Sequence, residues 1–274
     1  MTGKKKLNVI LLVYSVIFLT VFLTSCDMTI RSTINTKEIS ENSKPIELTV
    51  SAAASLKDVM EEIKAAYEKE NSSITLTFNF GSSSSLQKQI EQGAAVDVFV
   101  SAATKNMDLL AEKGLISEGT RKDFLGNKIV LVVPSGTSEI SDFKDLLNDN
   151  VEKIGIGEPK SVPAGQYSEE LLQNLGIVDS LKSKFVYAKD VREVLLWVET
   201  GNADAGFVYE TDAKASDKVR VVARAPEGMH TPIFYPAAVI KESKNIKEAE
   251  EFVKFLYSDK AKTIFEKYGF LFID

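Results

Sequence analysis

The sequence predicts an α/β protein in which strands and helices alternate along most of the chain. Three observations carry this. Ile74, Leu76, Phe78 and Phe80 alternate strictly with Thr75, Thr77 and Asn79, a period of two; Leu56, Val59, Met60, Ile63, Ala66 and Tyr67 recur at helical spacing; and segments of these two kinds succeed one another from Ile46 onward. Such alternation implies largely parallel sheets covered by helices on both faces. In sheets of that kind ligands bind at the carboxyl ends of strands, where the following helices begin.

Taken in order, the first segment is not part of that fold. Lys4, Lys5 and Lys6 precede an apolar run, Leu7 to Leu23, and then Leu-Thr-Ser-Cys ending at Cys26. A charged start, an apolar stretch and small residues before the cut describe an export signal over residues 1–25. The other reading is an uncleaved anchor, because the run is near the length that spans a bilayer. Cys26 is the one cysteine in the chain, so an exported form has no internal disulfide and is held by its core. Residues 1–25 carry three lysines and no acid, so their removal takes the net charge from −6 to −9. That balance excludes nucleic acid as a partner, which needs a basic face. Residues 27–45 are polar and aperiodic and read as a tether. The remaining 46–274 suffices for two modest α/β lobes or one large one.

Ile46, Leu48 and Val50 begin the fold as a strand, followed by the helix through Tyr67, the strand through Phe80 and a short helix on Leu86, Ile90 and Ala94. Val96 to Ala102 is a buried strand, and the helix around Met107 to Lys113 stops at Gly114. Lys128 to Pro134 is a long apolar strand, and KIGIGEP gives a strand and a turn. The next helix begins at Pro163 and stops at Gly176, the usual asymmetry of helix ends. FVYA, a helix over DVREVLLWVETGN, AGFVY, VRVVA and YPAAVI (Tyr235 to Ile240) continue the pattern, and two helices close the chain.

Several helices begin in a way that bears on function. Ser55 ends AAAS before the first helix, the run Ser82 to Ser85 precedes the second, and Asp190 with Glu193 has capping-box spacing. Ser55, Ser83 and Asp190 can be ordinary caps, each worth about 1 kcal/mol. The alternative is an anion cradle. Ala52, Ala53, Ala54 and Gly81 are small enough for backbone to approach a ligand, and successive strand-to-helix turns bring free N–H donors and positive dipole ends to one sheet edge. A flexible linker is excluded, since GSSSS lies directly between a strand and a helix. Catalysis has little support: the only histidine, His230, sits in the turn-rich APEGMHTP as a surface loop residue, no G-x-S-x-G elbow occurs, and metal-ligand clusters of His and Cys are absent. Trp197 reads as a core or near-core aromatic, and acidic runs such as Glu61–Glu62 as solvated faces.

AAASLKDVM, FGSSSSLQKQI, GAAVDVFVSA, GEPKSVPAGQY, KDVREVLLWVETGNADAGFVY and KYGF occur in one order from Ala52 to Phe270. Together they resemble the molybdate-binding proteins of bacterial molybdate ABC transporters, and Leu-Thr-Ser-Cys resembles the lipobox of bacterial lipoproteins. The resemblance implies a type II periplasmic-binding-protein fold, two α/β lobes joined by hinge strands near KIVLVVP and YPAAVI with the ligand in the cleft. The lobes fall at 46–128 plus 236–274 and at 129–235. It also implies a site in which an oxyanion is held by Ser55, by a serine of the run, by backbone groups of Ala164 and Val191, and by the Tyr209 hydroxyl. The register of FGSSSSL places the second serine at Ser83, with Ser82 and Ser84 as neighbouring alternatives; the fourth serine, Ser85, stands where the family often has threonine or glycine.

None of these five residues is charged. A donor-only pocket suits a fully deprotonated dianion such as molybdate, tungstate or sulfate, whereas monohydrogen phosphate needs an acceptor for its proton. The expectation is a non-enzymatic, monomeric receptor without a cofactor. It is exported, lipid-anchored through Cys26 to the outer face of the cell membrane, and passes molybdate, and tungstate too, to a membrane permease. A sulfate receptor is the alternative within the class, and an extracytoplasmic enzyme or sensory domain outside it.

Overall fold

In chain order the elements are β1 (Ile46–Ala53), α1 (Lys57–Glu70), β2 (Ile74–Gly81), α2 (Ser83–Glu91), β3 (Val98–Val100), α3 (Thr104–Glu112) and β4 (Lys122–Gly126). Then come β5 (Ile129–Pro134), β6 (Ile154–Gly157), α4 (Pro163–Asn174), α5 (Val178–Leu181), β7 (Phe185–Ala188), α6 (Val191–Glu199), β8 (Ala205–Tyr209), α7 (Glu210–Lys214) and β9 (Val219–Arg224). The chain closes with β10 (Phe234–Val239), α8 (Ile246–Leu256), α9 (Asp259–Lys267) and β11 (Leu271–Phe272). This computed structural model describes residues 45–136 and 139–273; the export signal, Cys26 and nearly all of the tether lie outside the described residues. No helix among the described residues is long and apolar enough to cross a membrane.

The strands form two sheets. One has the order β11-β4-β10-β3-β1-β2, the other β7-β6-β8-β5-β9. The chain passes from the first to the second through Asn127 and Lys128, and back between Arg224 and Phe234. Both sheets are mixed, which corrects the expectation of largely parallel ones. β1 is parallel to β2 and β3, and β6 to β7 and β8, each reached through a helical crossover. β10 instead enters antiparallel to β3 and β4, and β5 antiparallel to β8 and β9. Strand–helix alternation signals parallel pairing only where a helix carries the chain back; β4 runs into β5, and β9 towards β10, with no helix between.

The sequence reading missed β4 and β11. In β4 the adjacent residues Phe124 and Leu125 are both wholly buried, so no period of two marks the strand. β5 is legible for the related reason that Ile129 to Val133 are all inaccessible, a continuous apolar run covered on both faces. α1 buries Val59, Met60, Ile63 and Tyr67, as its spacing requires, and Tyr67 meets the rings of Phe252 and Phe255 edge-on at 5.0 and 5.1 Å. Trp197 is partly buried against the same continuous core.

Candidate functional site

Register puts the site at the carboxyl ends of the parallel strands. Ala53 of β1 pairs with Gly81 of β2, so the segments leaving these strands, Ala54–Ser55 and Ser82–Ser83, lie side by side. In the second sheet Gly157 of β6 pairs with Ala188 of β7, and these strands feed α4 and α6. Ala53, Ala54, Ser55, Gly81, Ser82, Ser83 and Ala102 line one wall of a cavity; Val162, Pro163, Ala164, Asp190, Val191 and Tyr209 line the other. All five residues expected from sequence therefore face one space, supplied by both sheets. The cavity measures about 10 Å³, the scale of one water or one compact ion.

Polar groups around this space are committed in different ways. Tyr209 is 1 % exposed, and its hydroxyl finds no partner of hydrogen-bonding geometry. Burial of a hydroxyl without a partner costs about 1–3 kcal/mol, so the group is set for a ligand atom. Burial also raises the Tyr209 phenol well above the ordinary tyrosine range, keeping its proton. Ser83 Oγ accepts from the Ala102 N–H at 2.9 Å, which leaves the serine's own proton free. The N–H groups of Ala164 and Val191 sit in the first turns of α4 and α6, where no intrahelical acceptor exists. Among the described residues no lysine or arginine lines the cavity, and Asp190, which does, accepts the Glu193 N–H at 3.0 Å as the cap of α6.

The capping roles read from sequence are partly redistributed. Ser82, not Ser83, caps α2: its Oγ accepts from Ser85 N–H at 3.4 Å and donates to Ser85 Oγ at 2.8 Å. Ser84 takes a hydrogen bond from Asn106 Nδ2 at 3.0 Å. The run thus divides into a cap pair, Ser82 and Ser85, one serine tied to α3, and Ser83 tied to Ala102, with Ser82 and Ser83 both lining the cavity. Ser55 does not cap either; it lies in a single 3-10 turn, Ala54–Leu56, with its Oγ 3.0 Å from the Tyr235 hydroxyl. His230 is half-buried in its loop, with Nδ1 2.7 Å from the Thr231 carbonyl, and it does not line the cavity. Glu62 is also more than a solvated face: it accepts from Lys267 Nζ at 2.7 Å and from the Tyr268 hydroxyl at 3.0 Å.

Sequence reasoning missed the polar residues behind the cavity wall. Arg192 Nε lies 2.7 Å from the buried Asp212 Oδ1, and its Nη1 reaches across to Asp58 Oδ2 at 2.7 Å. Burial pushes the Asp212 carboxyl up to about 6, against the opposing pull of the Arg192 charge. Tyr235 and Asn127 join Ser55 and Thr211 in a buried hydrogen-bonded chain. A lone hydroxyl in the apolar stretch YPAAV, and a basic residue directly after the cap in DVRE, are the only sequence signs of these groups.

A family model described as bacterial extracellular solute-binding protein matches residues 48–271. YvgL of Bacillus subtilis, a protein named as an ABC transporter substrate-binding lipoprotein, is 49 % identical over 231 residues, covering 84 % of this chain and 88 % of its own. The molybdate-binding protein ModA of Haemophilus influenzae is 40 % identical over 229 residues, 81 % of this chain and 89 % of its own. A solved structure described as the substrate-binding domain of a molybdenum ABC transporter from Clostridium difficile is 49 % identical, with a TM-score of 0.66, covering 84 % of this chain and all of that one. The fold is that of the type II periplasmic binding proteins. With its matched region spanning both sheets and the whole cavity, the chain belongs to the bacterial extracellular solute-binding protein family, together with molybdate-binding relatives.

Proposed function

We propose that this protein captures molybdate, and tungstate too, outside the cytoplasm and delivers it to an ABC transporter permease in the membrane. The observation that carries the reading is the Tyr209 hydroxyl, buried, unpartnered and facing a small cavity. The Ser55 and Ser83 hydroxyls and the first-turn N–H groups of Ala164 and Val191 converge on the same space. Hydrogen bonds to a charged group contribute about 1.5–3 kcal/mol each net, so several together support micromolar or tighter capture. The absence of a basic side chain from the lining is no obstacle, because helix starts supply partial positive charge. The protein binds its ligand and does not transform it, acting as a monomer held to the outer face of the cell membrane by lipid on Cys26. Residues 46–128 with 236–274, and residues 129–235, act as two lobes that close on the ion, excluding water and completing the donor set.

Calorimetric titration of the purified protein with molybdate, tungstate, sulfate and phosphate tests this. Tight binding of the first two alone is the expected result. Tight sulfate binding turns the protein into a sulfate receptor, and silence towards all four ends the oxyanion reading.

A further inference from the structure

We infer that Lys214 and the turn at residues 267–270 form a latch, set apart from the ion, that governs how long the closed cleft holds its ligand. The inference rests on the two-lobe closure proposed above and deepens it, adding Lys214 as a positioning residue that never touches the ligand.

The latch joins two pieces of chain that each lead to a ligand-holding group. On one side α7 starts directly after Tyr209, and the Tyr209 N–H reaches Asp212 Oδ2 at 3.3 Å, so this short helix follows Tyr209 as a unit. Lys214 is its last residue, exposed, and its Nζ donates to the Lys267 carbonyl at 2.9 Å. On the other side the 267–270 turn is anchored to Ser55 twice. Lys267 Nζ and the Tyr268 hydroxyl both donate to Glu62 Oε2 of α1, at 2.7 and 3.0 Å, and α1 follows the turn that carries Ser55. Phe270 is buried and meets the Tyr235 ring edge-on at 5.6 Å, and the Tyr235 hydroxyl lies 3.0 Å from Ser55 Oγ.

The seat is chemically suited to a cation from elsewhere in the fold. α9 ends at Lys267, and the N–H groups of Tyr268, Gly269 and Phe270 bond back to the Ile264, Glu266 and Phe265 carbonyls. The Lys267 carbonyl, at the negative end of the helix dipole, is left for an outside donor, and Lys214 supplies it. Gly269 has φ +93°, a conformation that favours glycine, and a Cβ there would stand 3.0 Å from Lys214 Cδ. Glycine thus serves the turn and the passage of the lysine stem at once. Lys214 falls within 129–235 and its seat within 236–274, so opening the cleft breaks this bond. Lys214 does not line the cavity, so its effect is the same whichever oxyanion is bound.

The test compares wild type with Lys214→Met, which keeps the stem and removes the donor and its charge, and Lys214→Arg, which keeps both. The side chain is exposed, so neither change disturbs the core. The probe is radiolabelled molybdate or sulfate, whichever wild type binds; its release after a chase with excess unlabelled ion gives the dissociation rate, and calorimetry gives the affinity. Lys214→Met is expected to release the ion about three- to tenfold faster, with affinity lower by the same factor and the association rate unchanged. Lys214→Arg should recover most of the loss, a rescue that lost packing alone would not give. The urea midpoint of the ligand-free protein should stay at the wild-type value, because the open form lacks the bond. An unchanged release rate overturns the latch, and so does a loss confined to association, which would make Lys214 a steering charge. A midpoint that falls in step with affinity also overturns it, since the contact would then hold whether or not the cleft closes. In each of those cases the oxyanion reading stands. If wild type binds neither ion, that reading falls and the latch with it.

Discussion

At the scale of single residues, the site is built by leaving polar groups short of partners. Tyr209 shows this most directly, since its hydroxyl is buried and unpaired while its backbone N–H reaches Asp212 Oδ2 at 3.3 Å. Tyr209→Phe is expected to weaken molybdate binding by about 1.5–3 kcal/mol, one hydrogen bond to a charged ligand. The same change should leave the ligand-free protein as stable as before or slightly more so, because an unsatisfied group is removed. Calorimetry and thermal unfolding without ligand read the two effects, and a large loss of ligand-free stability would contradict the assignment. Asp212 gives a pH prediction. Its folded-state pKa of about 6 lies above the ordinary aspartate value of 3.8, so the fold favours the protonated form. The cost of holding the carboxylate is absent below about pH 4 and fully present above about pH 6. Wild type should therefore lose stability relative to Asp212→Asn as pH rises across that window, by up to roughly 3 kcal/mol at about 1.4 per unit. Chemical denaturation of both proteins between pH 4 and 7 checks the slope; a difference that is flat or of opposite sign sinks it.

At the scale of elements, function depends on how closely α4 approaches β6. A Cβ added to Gly165 in the first turn of α4 would stand 1.9 Å from the carbonyl oxygen of Gly157, the last residue of β6. Backbone, not a flexible side chain, would have to move. Gly165→Ala is expected to cost about 1–3 kcal/mol of stability or more, as overpacking does. It should also shift the Ala164 N–H next to it and reduce oxyanion affinity at least severalfold. Denaturant midpoints and molybdate titration of this variant check both; an unchanged midpoint would mean that the contact is looser than the structure has it. Why the helix starts where it does was legible, since Pro163 and Gly176 bracket it. Why Gly165 must be glycine was not, because the clash is with a strand that precedes it in sequence and touches it only in the fold.

At the scale of the whole molecule, side chains reach across the cleft mouth between elements of the two sheets. Arg192 of α6 meets Asp58 of α1, its Nη2 lies 3.4 Å from the Ser55 carbonyl, and Lys214 of α7 donates to the Lys267 carbonyl of α9 at 2.9 Å. If closing the two halves on the ion completes the donor set, the Arg192–Asp58 tie belongs to the closed arrangement. Asp58→Asn should lower molybdate affinity by a factor of about two to five, as for a partly exposed ion pair, with the deficit shrinking at high salt. Titrations at low and high ionic strength measure it, and equal affinities at low salt would remove the tie from the binding equilibrium.

Local chemistry in the sequence determined a great deal by itself, namely the strands with clean alternation, the helices with one apolar face and the turns where helices begin, whereas the five residues of the candidate site followed from the resemblance of whole motifs to a known family. Such patterns are short-range, and each states which side of an element must be dry or which turn must hold a helix start. Tertiary structure alone decided the mixed pairing of the sheets, the division of labour within Ser82–Ser85, and the buried partners Asn127, Tyr235, Arg192 and Asp212. Those outcomes depend on contacts between residues far apart along the chain, such as Ser55 with Tyr235 across 180 positions. No local periodicity encodes which donor will stand opposite which acceptor once the sheets have formed.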